Sequence, residues 1–225
     1  MSEINVIDVK EAIITDNGAE GDKTRERLQS EGTYLLNLMS SPGSGKTTTL
    51  VRTINALKEE FKIGVVEADV DSAVDAKTVT EVGARAVQLH TGGSCHLDAV
   101  MTRAGLADIG TSDLDLVVVE NVGNLVCPAE FDIGANKRAV ILSVPEGDDK
   151  PLKYPLMFMK ADIILVNKID TLPYFDFDME RFKENVAKRN DRNIPIFPVS
   201  ALTGEGMEQW YSWLRDELHF SLHLK

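Results

Sequence analysis

The sequence predicts an α/β fold: a mostly parallel, seven-stranded sheet flanked by helices and preceded by an N-terminal helix. Three observations predict it. Short runs rich in β-branched apolar residues alternate with helical stretches along the chain, the pattern of parallel strands joined by crossover helices. The runs lack polar–apolar alternation, as strands buried on both faces do. A glycine-rich segment, 40–48, separates the first run from the helix after it.

Residues 5–30 come first. Val9, Ala12 and Ile13 have helical spacing, while Asn17-Gly18 and Gly21 weaken the middle. A helix with a break is expected there. Strands are expected at 34–39, 63–67, 86–89, 114–120, 138–144, 163–167 and 196–199. Helices are expected at 46–60, 73–81, 96–106, 152–160, 179–189 and 207–218. No Pro/Gly/Ser-rich linker and no internal repeat interrupts this alternation. One domain is therefore expected over 1–225, with a helical extension at 1–32 and the sheet at 33–225.

Composition excludes several classes. Twenty-four basic residues stand against 36 acidic ones, a net charge of −12, and an acidic chain repels nucleic-acid backbones. No apolar run reaches the ~18 residues of a membrane span. The start, Met1-Ser2-Glu3-Ile4-Asn5, lacks a signal-peptide pattern, so a cytoplasmic protein is expected. Two cysteines, Cys95 and Cys127, are too few for a disulfide framework in a reducing compartment. The histidines are His90, His96, His219 and His223, with no histidine-rich tract.

Ser40-Ser41-Pro42-Gly43-Ser44-Gly45-Lys46-Thr47-Thr48 follows the first strand and opens a helix. Small residues let successive backbone N–H groups turn inward around phosphate oxygens, and the helix N-terminus adds its positive dipole end. Pro42 to Thr48 are the expected phosphate contacts, so the fold is a P-loop NTPase. Lys46 is expected to bridge the β- and γ-phosphates, and Thr47 to ligate Mg²⁺. Ser40 stands where the usual pattern has its first glycine.

Asn167-Lys168-Ile169-Asp170 ends the sixth strand and resembles the NKxD signature of GTPases. The Asp170 carboxylate can accept hydrogen bonds from guanine N1–H and its exocyclic amine, donors that adenine lacks at that edge. The Lys168 stem is expected to pack on the base. Ser200-Ala201 resembles the second base-contact loop. GTP is the expected substrate and 33–225 a G domain. A P-loop ATPase of the partitioning or arsenical-pump type fits less well, because Ser40-Ser41 lacks the extra signature lysine.

The fourth strand ends in Glu120-Asn121-Val122-Gly123. The usual pattern is DxxG, with the acid on Mg²⁺ and the glycine N–H on the γ-phosphate. Glu120 replaces the Asp, which points to GTPases that work as nucleotide-dependent dimers. Asp69 and Asp75 are further Mg²⁺ candidates near a strand C-terminus, where open α/β sheets bind ligands. Lys46, Thr47, Asp69, Glu120 and Gly123 form the expected catalytic set. No glutamine follows Gly123 and no arginine finger is evident, so slow hydrolysis is expected.

Cys95-His96 and Cys127 fall at or near the nucleotide face. Thiolate and imidazole suit Zn²⁺ and Ni²⁺, and affinity should fall at low pH because thiols must lose their protons. Spacing alone leaves a second reading open: two buried cysteines beside a helix-capping histidine. One chain offers three ligands, and two chains on a two-fold axis would offer six.

The segments 41–48, Cys95-His96-Leu97-Asp98-Ala99, 120–129 and 167–170, in this order and spacing, resemble the HypB family of hydrogenase nickel-incorporation GTPases. The resemblance covers nearly the whole chain, from about Asn5 onward. It implies that Cys95, His96 and Cys127 bind nickel or zinc and that GTP promotes a homodimer. It further implies nickel delivery to the [NiFe] hydrogenase large subunit, directly or through a companion nickel-insertion protein. The N-terminal cysteine-rich site and histidine-rich stretch of some members are absent from this sequence, which argues against high-affinity nickel storage. A family lysine acting across the dimer maps to Lys150 or Lys153. A urease-type nickel accessory GTPase is an alternative, although that family resembles Cys-Pro-His instead; another is a nucleotide-gated metal-binding module with negligible hydrolysis. Trp210, Tyr211 and Trp213 read as packing residues of the last helix. His219 and His223, at i and i+4, are a weaker metal pair.

Overall fold

Strands β1 (Tyr34–Ser40), β2 (Ile63–Asp69), β3 (Arg85–His90), β4 (Leu116–Glu120), β5 (Lys137–Ser143), β6 (Ile163–Asn167) and β7 (Ile196–Pro198) form one sheet. Their order is β3-β2-β4-β1-β5-β6-β7, and every pairing is parallel. The computed structural model describes residues 9–69 and 74–222, with side chains described for 14–68 and 78–222. All seven predicted strands are present. β1, β4 and β6 are buried at every position, which explains their largely apolar composition.

One face of the sheet carries α2 (Lys46–Leu57), α3 (Val74–Glu81) and α9 (Met207–Leu222). There Leu36, Leu38, Ile54, Val118 and Trp210 share a core. α1 (Val9–Glu31) and α4 (Ala99–Ile109) cover part of the other face, packing Leu28 and Leu106 on Leu35, Val66 and Val117. α5 (Cys127–Glu130), α7 (Pro155–Lys160) and α8 (Met179–Ala187) complete it, with Phe158 and Phe182 on Val140 and Val166. No described helix is long and apolar enough to cross a membrane.

Trp210 is 2 % exposed. Its Nε1–H donates to Thr53 Oγ1 at 2.9 Å, tying α9 to α2, and its ring stacks on Trp213 with centroids 5.5 Å apart. The packing role read from sequence holds. Trp210→Ala is expected to cost about 3–5 kcal/mol, measured by chemical denaturation. A loss below about 1 kcal/mol would contradict this placement.

Three departures from the expected helices bear on the site. α1 runs unbroken through Asn17, Gly18 and Gly21. Gly21 serves a close approach instead of a break: a Cβ there would lie 2.9 Å from the Asp132 carbonyl oxygen. The helix expected at 96–106 starts at Ala99, because the Asp98 side chain accepts the Met101 N–H and caps it. Cys95 and His96 therefore lie in the preceding loop. The helix expected at 152–160 is two pieces, α6 (Lys150–Lys153) and α7. Pro155 disfavours helical geometry at Tyr154, which sits at φ −125°, ψ 58°.

Candidate functional site

The C-terminal ends of β1, β4 and β6 bring the motifs together. Beyond Ser40 the chain turns at Gly43 (φ +72°) and Gly45 (φ +96°) into α2. These left-handed angles favour glycine. A Cβ on Gly45 would also strike the Asn167 amide nitrogen, so the phosphate loop and the base motif touch. Lys46 Nζ donates to Ser40 Oγ at 2.9 Å. The serine that departs from the usual glycine thus holds the ammonium at the loop. A cleft of about 350 Å³ joins Gly43, Gly45 and Lys46 to Thr48 with Glu120 and Lys168.

Thr47 Oγ1 donates to Glu120 Oε1 at 2.9 Å. Glu120 is 4 % exposed and Glu67 3 %, and the two are register partners on β4 and β2. Two buried carboxylates beside a hydroxyl make a hard oxygen donor set that fits Mg²⁺. Sequence reasoning missed Glu67; its signal was an acid directly after the apolar run 63–66. Asp69 ends β2 and Asp75 lies in α3, but their side chains lie outside the described residues. Gly123 abuts the phosphate loop: a Cβ there would stand 3.0 Å from Pro42 Cα.

Asn167 links the 40–48 loop to the 200–202 loop. Its Nδ2 donates to Ser44 O at 2.8 Å, and its Oδ1 accepts the Ala201 N–H at 2.9 Å. Lys168, at φ +63°, donates through Nζ to Gly43 O at 2.7 Å. Asp170 Oδ1 accepts from Ser200 Oγ at 2.5 Å. Arg52 of α2 donates to Ala201 O through Nε and to Leu202 O through its terminal nitrogen. It clamps the 200–202 loop, and no sequence motif marked it.

Cys95 and His96 precede α4, and Cys127 opens α5. One donor atom from each lies within 4.8 Å of the others. The sulfurs are 2.8 Å apart, and Cys95 Sγ is 3.7 Å from His96 Nδ1. Cys95 is exposed and Cys127 half-buried, so neither is a core thiol. His96 stacks on Phe131 with centroids 3.9 Å apart. Burial pushes its pKa below the ordinary histidine value despite Asp98 and Glu130, leaving a neutral imidazole able to bind a metal at pH 7. The neighbouring Cys95 thiol, then burial, pushes the Cys127 thiol up. The donor set of two sulfurs and one nitrogen fits Zn²⁺ or Ni²⁺.

None of the remaining candidates with described side chains lines the cleft. Lys150 sits over the Tyr154 ring and Lys153 pairs with Asp149 at 2.6 Å. The His219 ring packs on Phe61. His223 lies outside the described residues.

Residues 34–197 match the CobW/HypB/UreG nucleotide-binding domain family. The hydrogenase maturation factor HypB of Rhizobium leguminosarum bv. viciae is 46 % identical over 214 residues, covering 95 % of this chain and 71 % of that one. The crystal structure of Helicobacter pylori HypB in complex with nickel aligns with a TM-score of 0.85 at 40 % identity, covering 92 % of this chain and 97 % of that one. Archaeoglobus fulgidus HypB aligns with a TM-score of 0.84 at 41 % identity, covering 91 % and 99 %. With this identity sustained along nearly its whole length, the chain belongs to the HypB family of hydrogenase maturation factors, within the CobW/HypB/UreG nucleotide-binding proteins.

Proposed function

We propose that the protein is a slow cytoplasmic GTPase that carries nickel or zinc on Cys95, His96 and Cys127, its GTP state controlling metal release. The cargo serves maturation of the [NiFe] hydrogenase large subunit, handed over directly or through a companion nickel-insertion protein. Asp170 reads guanine, with Asn167, Lys168, Ser200 and Ala201 shaping the base pocket. The backbone of 42–48 and Lys46 hold the phosphates. Thr47, Glu120, Asp69 and Asp75 are the proposed Mg²⁺ ligands, to which Glu67 is added. Mg²⁺, when bound there, neutralises charge on the β- and γ-phosphates. One G domain with its N-terminal helix performs both tasks.

The single observation that carries the coupling is Asn121. It lies between Glu120 and the Gly123 that abuts the phosphate loop. Its Oδ1 accepts from the Leu97 N–H at 3.3 Å and the Val122 N–H at 2.9 Å. Leu97 adjoins His96, and Cys127 lies on the continuation of the same segment. A shift of 120–123 on loss of the γ-phosphate therefore pulls on both halves of the metal centre. Linkage then requires the metal to alter nucleotide affinity by the same factor. Three ligands leave a tetrahedral ion short, so a GTP-promoted homodimer completes the coordination.

Cys127→Ala tests the ligand set. It is expected to weaken Ni²⁺ and Zn²⁺ binding at least ~100-fold, more than the loss of an outer-shell partner, and to leave GDP binding intact. Metal affinity of unchanged strength, read by titration, would remove Cys127 from the site.

A further inference from the structure

The two halves of the Cys/His centre sit on separate segments, before α4 and at the start of α5. Besides the Asn121 link between them, both are tied to a third element. Asn17 of α1 is 7 % exposed and reaches both. Its Oδ1 accepts the Ala99 N–H at 2.7 Å, three residues past His96. Its Nδ2 donates to the Asp132 carbonyl at 2.9 Å, and Asp132 follows Phe131, the ring on which His96 stacks.

The next turns of α1 grip the same place. Gly21 lies against the 132–134 backbone: a Cβ there would meet Asp132 O at 2.9 Å and Gly134 N at 3.3 Å. A Cβ on Gly134, at φ +82°, would in turn strike the Gly21 carbonyl oxygen. Arg25 donates to Asp132 Oδ2 at 2.9 Å. Positions 17, 21 and 25 are spaced four apart, so they share one face of the helix. That face meets the segment running on from Cys127, while Glu20 pairs with Arg103 of α4.

We infer that Asn17 is a positioning residue for the metal centre, fixing the separation between the Cys95-His96 segment and the Cys127 segment. Both arms of one amide are used, and each ends within a few residues of a ligand. Removing it leaves all three ligands present but loosens their mutual placement. Outer-shell contacts of this kind typically change metal affinity 10–100-fold. Nothing in the arrangement reaches the nucleotide cleft directly. The inference rests on the ligand set proposed above.

The test is a Ni²⁺ titration of the full-length, GDP-loaded protein, followed by nickel–thiolate charge-transfer absorption. GDP affinity and thermal melting are measured alongside. The variants are Asn17→Ala, Gly21→Ala and Cys127→Ala. Gly21→Ala keeps the Asn17 amide and improves helix propensity, yet its methyl pushes 132–134 away from α1. It decides the question alone if Asn17→Ala fails to fold. The expected result is a loss of nickel affinity on the order of 10–100-fold in both α1 variants, a weakened or shifted charge-transfer band, and GDP affinity within about two-fold of the parent. If both α1 variants bind nickel as the parent does while Cys127→Ala does not, the inference is overturned and the ligand set survives. An equal loss of GDP affinity would make Asn17 a general stability residue and overturn it too. Wild-type-like nickel binding by Cys127→Ala would sink the ligand set and this inference with it.

Discussion

Asp170→Asn is expected to lose GTP and gain xanthosine triphosphate. Ser200 Oγ donates to Asp170 Oδ1 at 2.5 Å and orients the carboxylate, while the Asn167 bridge to Ala201 sets the loop around it. A carboxylate accepts from both guanine N1–H and the exocyclic amine. Asparagine presents one acceptor and one amine, so its amine faces the guanine amine. Hydrogen bonds to charged groups contribute about 1.5–3 kcal/mol each, and leaving a buried donor unsatisfied costs a similar amount. The affinity for GTP should fall on the order of 10²–10³-fold, about 2.7–4 kcal/mol. Xanthine carries a carbonyl where guanine has the amine, which matches asparagine, so that triphosphate should bind and turn over in the variant. Competition binding with both triphosphates checks this. Undiminished GTP affinity would mean that Asp170 does not read the base.

Lys46→Ala is expected to reduce phosphate release at saturating GTP by about 10²–10³-fold, the size seen when a preorganised donor to developing charge is removed. Lys46 is the one cation of the phosphate loop, and Ser40 Oγ already holds it in place. The Cys/His centre is built by other segments, so its metal affinity in the GDP state should stay within about two-fold of the parent, while the difference between nucleotide states should disappear. A phosphate-release assay and a metal titration on the same preparation read both. Turnover near the parent rate would remove Lys46 from its assigned role.

Much of the nucleotide site was legible because it depends on local chain chemistry. Gly43 and Gly45 adopt positive φ, and only a few residue types permit that, so the loop leaves a sequence signature. The buried strands were readable for a similar reason: burial on both faces leaves apolar runs in β1, β4 and β6, interrupted by Asn37 and ended by Ser40, Glu120 and Asn167 at the site. Contacts between distant segments left no such mark. Asn17 and Gly21 read as helix breakers because propensity weighs only the local chain, whereas tertiary contact with 132–134 decides their role. No local pattern marks Arg52, because only the fold brings Ala201 and Leu202 to it. Glu67 was passed over directly after an apolar run, since only the β2–β4 register sets it beside Glu120. The Cys/His centre stood between these cases. Spacing left core thiols open, and it took the fold to bring the three donors within 4.8 Å.

The central claim is that nucleotide state sets metal affinity, and the most direct measurement compares the two states. Ni²⁺ and Zn²⁺ would be titrated into the protein loaded with GDP, then with a non-hydrolysable GTP analogue, with affinity and mass read together. The account predicts that metal affinity and dimer fraction both shift between the two states. Equal affinity and equal mass in both would contradict it, leaving a nucleotide-binding protein whose Cys95, His96 and Cys127 are not under GTP control.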